Sequence, residues 1–322
     1  FRGCDRCLRA CPTGALQEGG SRIRRDPLAC SGCGACVAAC PTGTLDARPH
    51  GRDALARALE HLGRAGVAAV LQCPHTGGTG RRGVRIPLDH LCGVDAWALA
   101  GAVLAGAPWV AVEPCPSCEP WVGGELGLAQ GVLGPVGRHD RVLGRGAPEP
   151  SAPSAPSPIL PPTAGPEDPL DRRTRVLSAV LPEGGPASPL EGPFGRPTAR
   201  TGCTGCGACV GVCPTEALTA DPDAPVVWAR EVRCVGCGLC ARACPEGVVE
   251  VKPHLAWEGS ALRPRVFAQA EAHACPACGR VFATRQALEA VRARLEGRVP
   301  FEPHILDLCP DCRVVRAVEP VR

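Results

Sequence analysis

Residues 203–214 read Cys-Thr-Gly-Cys-Gly-Ala-Cys-Val-Gly-Val-Cys-Pro, and residues 234–245 repeat the plan as Cys-Val-Gly-Cys-Gly-Leu-Cys-Ala-Arg-Ala-Cys-Pro. Thiols this close cannot all pair with one another without severe strain, so the runs are not a disulfide framework. A short loop that turns three sulfurs toward one point builds a cage instead. Gly205, Gly207, Gly236 and Gly238 let backbone N–H groups approach the sulfurs, and Pro214 and Pro245 turn the chain away. The same plan returns near the start of the chain, as Cys4, Cys7, Cys11-Pro12 and Cys30, Cys33, Cys36, Cys40-Pro41. The chain is internally duplicated.

Composition agrees with small modules held by something other than burial. The 322 residues include 23 Cys, 40 Gly and 36 Pro, but no Met or Tyr and only five Phe and five Trp. A core built mainly from aromatics is excluded, and metals are left to do the holding. The longest apolar run, around Trp97 to Val112, is interrupted by Gly101, Gly106 and Pro108, which excludes a membrane span. The formal charge is +3, almost all of it from scattered arginines, with Lys252 the only lysine. No basic patch interleaved with stacking aromatics is present, so nucleic-acid binding is not expected. Metal-bound thiolates would carry the assembled protein to roughly −9.

The C-x2-C-x2-C-x3-C-P spacing resembles that of bacterial two-cluster ferredoxins, over residues 1–48 and about 198–252. The resemblance implies two small α+β modules, each with two short helices and two hairpins. It also implies crossed ligation, in which the last cysteine of each run serves the other cluster. Cys203, Cys206, Cys209 and Cys244 would then hold one 4Fe-4S cluster, and Cys234, Cys237, Cys240 and Cys213 its neighbour. Cys30, Cys33, Cys36 and Cys11 complete a third. The fourth has Cys4, Cys7 and Cys40, with Phe1 standing where the missing cysteine belongs. Either a preceding segment supplies that thiolate, or the site takes a 3Fe-4S cluster or a non-cysteine ligand. Val210, Val212, Ala217, Leu218, Leu239, Ala243, Val248 and Val249 are expected to form the apolar cover. The run from Phe1 to Pro12 also looks like the start of multi-cluster proteins that accompany formate dehydrogenases.

Residues 50–146 read as a small α/β domain. Leu55, Leu59 and Leu62 mark an amphipathic helix. Strands are expected at Val67–Leu71, Val84–Leu88 and Trp109–Val112, with a helix at Asp95–Ala105. Cys73, Cys92, Cys115 and Cys118 would converge at the carboxyl edge of the parallel strands. Their order, with Cys92-Gly93-Val94-Asp95 before a helix, is similar to the iron-sulfur (delta) subunit of heterodisulfide reductase-linked hydrogenases, which would imply a 2Fe-2S cluster. Zinc is the alternative, with His75 and His90 as substitute ligands. Two further readings stay open: buried small hydrophobes at Cys73 and Cys92, and a redox dithiol at Cys115 and Cys118. Gly78 to Gly83 formally spells G-x-G-x-x-G but precedes a strand and Pro87, so it reads as a loop and not a dinucleotide site.

Residues 147–197 are proline-rich and read as a linker, with Asp168–Leu181 as a helix able to dock. Residues 198–254 form the second ferredoxin-like module. Residues 255–322 read as a zinc-ribbon-like module, with Cys275, Cys278, Cys309 and Cys312 around a helix at Thr284–Glu296. G-x-S-x-G, H-E-x-x-H, P-loop and C-x-x-C-H signatures are absent, so no catalytic residue is assigned. The expected function is single-electron relay between redox partner enzymes, of formate dehydrogenase or hydrogenase type, in the cytoplasm. The alternatives are an oxidoreductase subunit working through the middle cysteines and a maturation scaffold for a metalloenzyme.

Overall fold

The structure, a computed structural model, describes residues 4–20, 22–46, 51–77, 80–151, 157–181, 189–222, 224–298 and 303–318. It divides into two units, residues 1–194 with 253–262, and residues 195–252 with 263–322. Phe1, Gly78 and Thr79 lie outside the described residues.

In the first unit, the helices Arg6–Arg9 and Ala35–Ala38 flank an antiparallel hairpin of Leu16–Gly19 and Arg22–Arg25. A four-stranded sheet follows, ordered Val84–Pro87, Ala69–Gln72, Val110–Glu113, Val142–Leu143, with every pairing parallel. Its central strands are continuous apolar runs because helices cover the sheet, and Val70, Leu71, Val110, Ala111 and Val112 are fully buried. The helix Ala96–Leu104 consists of small and apolar residues throughout and is buried all round. Asp95 starts it by accepting from the amides of Trp97 and Ala98 at 3.0 and 3.1 Å.

The helix Arg52–Arg64 faces inward with Ala56, Leu59, Glu60 and Gly63, whereas Leu55 and Leu62 are half-buried. Glu60 is tolerated inside because Arg175 reaches its Oε1 at 2.7 Å. Arg175 belongs to the helix Pro169–Val180, which is capped by Asp168 and buries Leu170, Arg172, Arg173, Val176, Leu177 and Val180. The stretch 147–197 is therefore more than a tether. Leu160 is buried, and Leu190–Ala199 is a strand that pairs with Val249–Leu255 despite Pro193 and Pro197. Prolines are compatible with a strand that has a free edge.

In the second unit, Arg265–Gln269, Val226–Ala229 and Leu218–Ala220 form an antiparallel sheet. Residues 255–322 are expected as a separate zinc-ribbon-like module, but the chain leaves this unit after Lys252, returns to it at Arg263 and adds Arg265–Gln269 to the sheet of the preceding module. The core is Leu218, Val227, Ala229, Val249 and Phe267 with Cys209 and Cys240. Val212, expected in the apolar cover, is exposed. A second hairpin, Ala272–Ala274 with Val281–Thr284, leads into the helix Arg285–Leu295, and a further helix runs Pro310–Val318. Among the described residues, no helix is long and apolar enough to cross a membrane.

Candidate metal centres

In the second unit, Cys203, Cys206, Cys209 and Cys244 line one cavity, beside Val227, Val249 and Phe267. Cys213, Cys234, Cys237 and Cys240 line another, beside Leu218, Val235, Leu239 and Val251. The two cavities are nearly equal in size. Each of the helices Ala208–Gly211 and Leu239–Ala243 starts at a glycine in the left-handed region, Gly207 at φ +74° and Gly238 at φ +71°. The loop therefore folds back on itself where a side chain would be strained. Gly195 serves differently, by its lack of bulk. A Cβ there would stand 2.8 Å from Cys234 Sγ and 2.7 Å from Gly236 Cα.

The thiols are crowded enough to repel one another as thiolates. Burial, and then the charges of Cys203 and Cys206, push Cys209 up to about 11. Burial with Cys234 and Cys237 pushes Cys240 up to about 12. Four thiolates coexist in such a cage only around compensating cations. Among the described residues, three or more potential ligand atoms gather within 4.8 Å of one another at two places only, both outside these cages. The cages are thus too wide for a single ion and fit a multinuclear group held by four thiolates.

The first unit repeats one cage clearly. Cys11, Cys30, Cys33 and Cys36 line a common cavity, with Gly34 at φ +80° starting the helix Ala35–Ala38. Burial, then Cys33 and Cys11, raise Cys36. Cys7 is raised by burial and then by Cys4 and Cys40, so these three also face one another. Their loop differs locally, because Asp5 occupies the position of the helix-starting glycine and has φ −106°. Burial opposes ionisation of Cys40, yet the amides of Leu45, Thr42 and Thr44 and the Thr42 hydroxyl prevail and lower it. The last cysteine of three runs has such a hydroxyl two residues on: Thr13 lies 3.7 Å from Cys11, Thr42 3.6 Å from Cys40 and Thr215 3.8 Å from Cys213. The fourth, Cys244, is followed by Pro245 and Glu246, a carboxylate paired with Arg294 at 2.7 Å. The thrice-repeated Cys-Pro-Thr is the sequence signal for these hydroxyls.

The two tight groups have the dimensions of single-ion sites. Cys275, Cys278, Cys309 and Cys312 gather within 4.8 Å, with Cys278 and Cys309 sulfurs 3.7 Å apart. Tetrahedral zinc with bonds of about 2.3 Å asks for sulfurs about 3.8 Å apart. Burial works against ionisation of Cys275, but the amides of Cys309, Ala277 and Cys278 outweigh it and bring the thiol down to about 6. Hydrogen bonds shared with Cys309 and Cys278 push Cys312 up to about 12.

In the first unit, Cys73, which follows the strand Ala69–Gln72, meets Cys115 and Cys118, which follow Val110–Glu113. Cys73 and Cys118 sulfurs are 3.7 Å apart, and burial raises both thiols to about 11. His90 Nδ1 lies 3.9 Å from Cys118 Sγ. Cys92 is buried but stands outside the group of three, and His75 is not part of it.

A buried polar cluster joins the N-terminal module to the helix Ala96–Leu104. Arg52 Nε donates to buried Asp95 at 2.8 Å, and its Nη1 donates to the carbonyls of Cys40 and Val37 at 2.7 and 3.3 Å. Arg52 lines a cleft with Arg6, Trp97, Glu125 and Arg173. Burial pushes the Glu125 carboxyl up to about 7, although it accepts from the Ala96 amide at 2.8 Å. Nothing in the local sequence marks these partners, which lie tens of residues apart.

Residues 2–44 and 202–248 each match the family described as the 4Fe-4S dicluster domain. No curated protein matches the chain. The two matches coincide with the duplicated cysteine runs and point to iron-sulfur clusters and an electron-transfer role.

Proposed function

We propose that this chain is an electron relay whose duplicated modules hold four 4Fe-4S clusters and pass single electrons between redox partner proteins. The observation that carries the reading is the crossed lining of the second unit, with Cys244 beside Cys203, Cys206 and Cys209, and Cys213 beside Cys234, Cys237 and Cys240. When bound, such clusters supply one-electron oxidation and reduction. The chain's own groups do the rest. Cysteine thiolates hold the irons, and amide N–H groups and the hydroxyls of Thr13, Thr42 and Thr215 spread the thiolate charge. Val227, Val249 and Phe267 keep water from the sulfurs.

Cys275, Cys278, Cys309 and Cys312 fit structural zinc, tying the helix Pro310–Val318 to the hairpin of Ala272–Ala274 and Val281–Thr284. Cys73, Cys115 and Cys118 fit one further metal site, zinc or iron. The partners are enzymes that release or consume electrons one at a time, of formate dehydrogenase or hydrogenase type. Protein purified without oxygen is expected to absorb near 400 nm, to bleach with dithionite and to carry about sixteen irons per complete chain. Colourless, iron-free protein from the same preparation refutes the relay.

A further inference from the structure

The two duplicated modules carry the same hairpin between their cysteine runs, in the same register. Leu16 lies opposite Arg25 in one and Leu218 opposite Ala229 in the other, and the amide that follows, of Asp26 and of Arg230, donates to the carbonyl of Ala15 and of Ala217 at 2.8 Å. What lies beyond the hairpin differs. In the second unit Arg265–Gln269 pairs with the outer edge of Val226–Ala229, and Ala229 and Val232 are fully buried. In the first unit the sheet ends at Arg22–Arg25 among the described residues. The matching positions there are an exposed Arg25 and a Leu28 that is 97% exposed.

The open edge has the groups a further strand needs. Because the Asp26 N–H points across the hairpin, alternation turns the N–H and C=O of Ile23 and Arg25 outward. Such a row is a template for another chain, and the side chains decide which. Arg22 and Arg24 share the face away from the cage, where their cross-strand neighbours are Gly19 and Gln17. Glu18 stands opposite Ile23 on the other face, and Asp26 accepts from the amides of Leu28 and Ala29 at 2.9 and 3.4 Å. A second copy of this edge would set arginine against arginine, whereas a strand with acidic residues at alternate positions meets each arginine with opposite charge. Leu16, Ile23 and Arg25 line the cavity of Cys11, Cys30, Cys33 and Cys36, so a chain docked on this edge lies beside that cage.

We propose that the edge Arg22–Arg25 is the docking site of an electron-transfer protein, which adds an acidic, extended segment to the hairpin as a third strand and covers Leu28 with an apolar side chain. Arg265–Gln269 is the precedent within this chain: the same edge of the same hairpin, filled by the chain's own strand. Main-chain hydrogen bonds set the register of the added segment, and Arg22 and Arg24 select its charge. This deepens the relay reading and rests on it for the nature of the partner.

The test uses the full chain purified without oxygen and a fluorescein-labelled peptide of alternating Glu and Val, long enough to reach Leu28, with an alternating Lys and Val peptide as its counterpart. Fluorescence anisotropy is expected to show binding of the acidic peptide alone, weakened about tenfold in Arg22→Glu/Arg24→Glu and severalfold in Leu28→Ser. Arg22, Arg24 and Leu28 do not line the cage, so both variants are expected to keep their iron and their 400 nm absorption. Amide hydrogen exchange of residues 22–25 should slow when the acidic peptide is bound, a change that charge attraction without strand pairing does not produce. No binding, equal affinity for the two peptides, or unchanged exchange at residues 22–25 overturns the docking edge, and intact absorption then leaves the relay standing. A dimer in sedimentation that Arg22→Glu/Arg24→Glu abolishes gives the edge to a second copy and overturns the proposal too. Specific binding by a colourless, iron-free chain upholds the edge and brings down the relay.

Discussion

The two duplicated modules share a spacing but not a surrounding. In the second unit both cages close on the module's own residues, with matched cavities and glycines in the left-handed region at corresponding positions. In the N-terminal module only the cage of Cys11, Cys30, Cys33 and Cys36 is built that way. The run beginning at Cys4 has Asp5 in place of a turning glycine. What the N-terminal module lacks in symmetry it gains in attachment, through Arg52 and through the Gly34–Gly93 contact to the parallel-sheet region. A ligand pattern thus fixes what can be held, while the contacts around it fix what the module is joined to.

The largest expected effect tests whether the modules are equivalent as cages. Cys240→Ala and Cys36→Ala are each expected to remove one whole cluster, about four irons, with a matching fall in visible absorption. Cys7→Ala gives the same loss only if the cage of Cys4, Cys7 and Cys40 is also filled. Iron analysis of the three variants ranks the cages directly.

The attachment of the N-terminal module is tested next. Asp95→Asn leaves the buried Arg52 guanidinium without its charge partner and is expected to destabilise the first unit by about 3–5 kcal/mol. Urea unfolding followed by proteolysis separates the units, and equal loss in both would break the comparison.

Glu125 makes the same region pH-sensitive. Its folded carboxyl titrates near 7, above the ordinary 4.5, so the folded state holds the proton that the unfolded chain has released. Stability of the first unit is therefore expected to fall as pH rises from about 4.5 to 7, by about 3 kcal/mol in all. Glu125→Gln should flatten that slope in a series of urea melts.

A smaller effect belongs to the second unit. Thr284 Oγ1 donates to the Thr204 carbonyl at 2.5 Å and accepts from the Ala287 amide at 3.1 Å, starting the helix Arg285–Leu295. Thr284→Val is expected to cost about 1–2 kcal/mol, read from thermal unfolding. The finest test contrasts the cages within that unit. Cys213 has the Thr215 hydroxyl, whereas Cys244 has Glu246, so the cage of Cys244 should have the lower potential. Glu246→Thr removes a negative charge and offers a donor, and both raise the potential in a redox titration.

What could be read from the sequence follows from how local each feature is. The cysteine runs were legible because a cage wall is made within twelve residues, and the glycines and prolines needed to bend it are written beside the thiols. The helices Arg52–Arg64 and Ala96–Leu104 and the strands around them were legible from their apolar periods, although the inward stripe proved to be Ala56, Leu59, Glu60 and Gly63 rather than the leucines alone. Glu60, Arg172 and Arg175 were not legible as interior residues, because each is admitted by a partner more than a hundred residues away. The strand Leu190–Ala199 was hidden by its prolines, and the part of Gly195 in leaving room for Cys234 becomes visible only when the chains are packed.

The bond from Thr284 to Thr204 crosses from the hairpin of the thiol finger into the loop that wraps Cys203, and a Cβ on Gly205 would meet Ala270 at 2.8 Å. The hairpin is in this way spliced onto a wall of the Cys203 cage. A chelator that strips the finger should therefore be felt at a distance. The wall would lose its buttress, oxygen and water would gain entry beside Cys203, and bleaching in air would begin there.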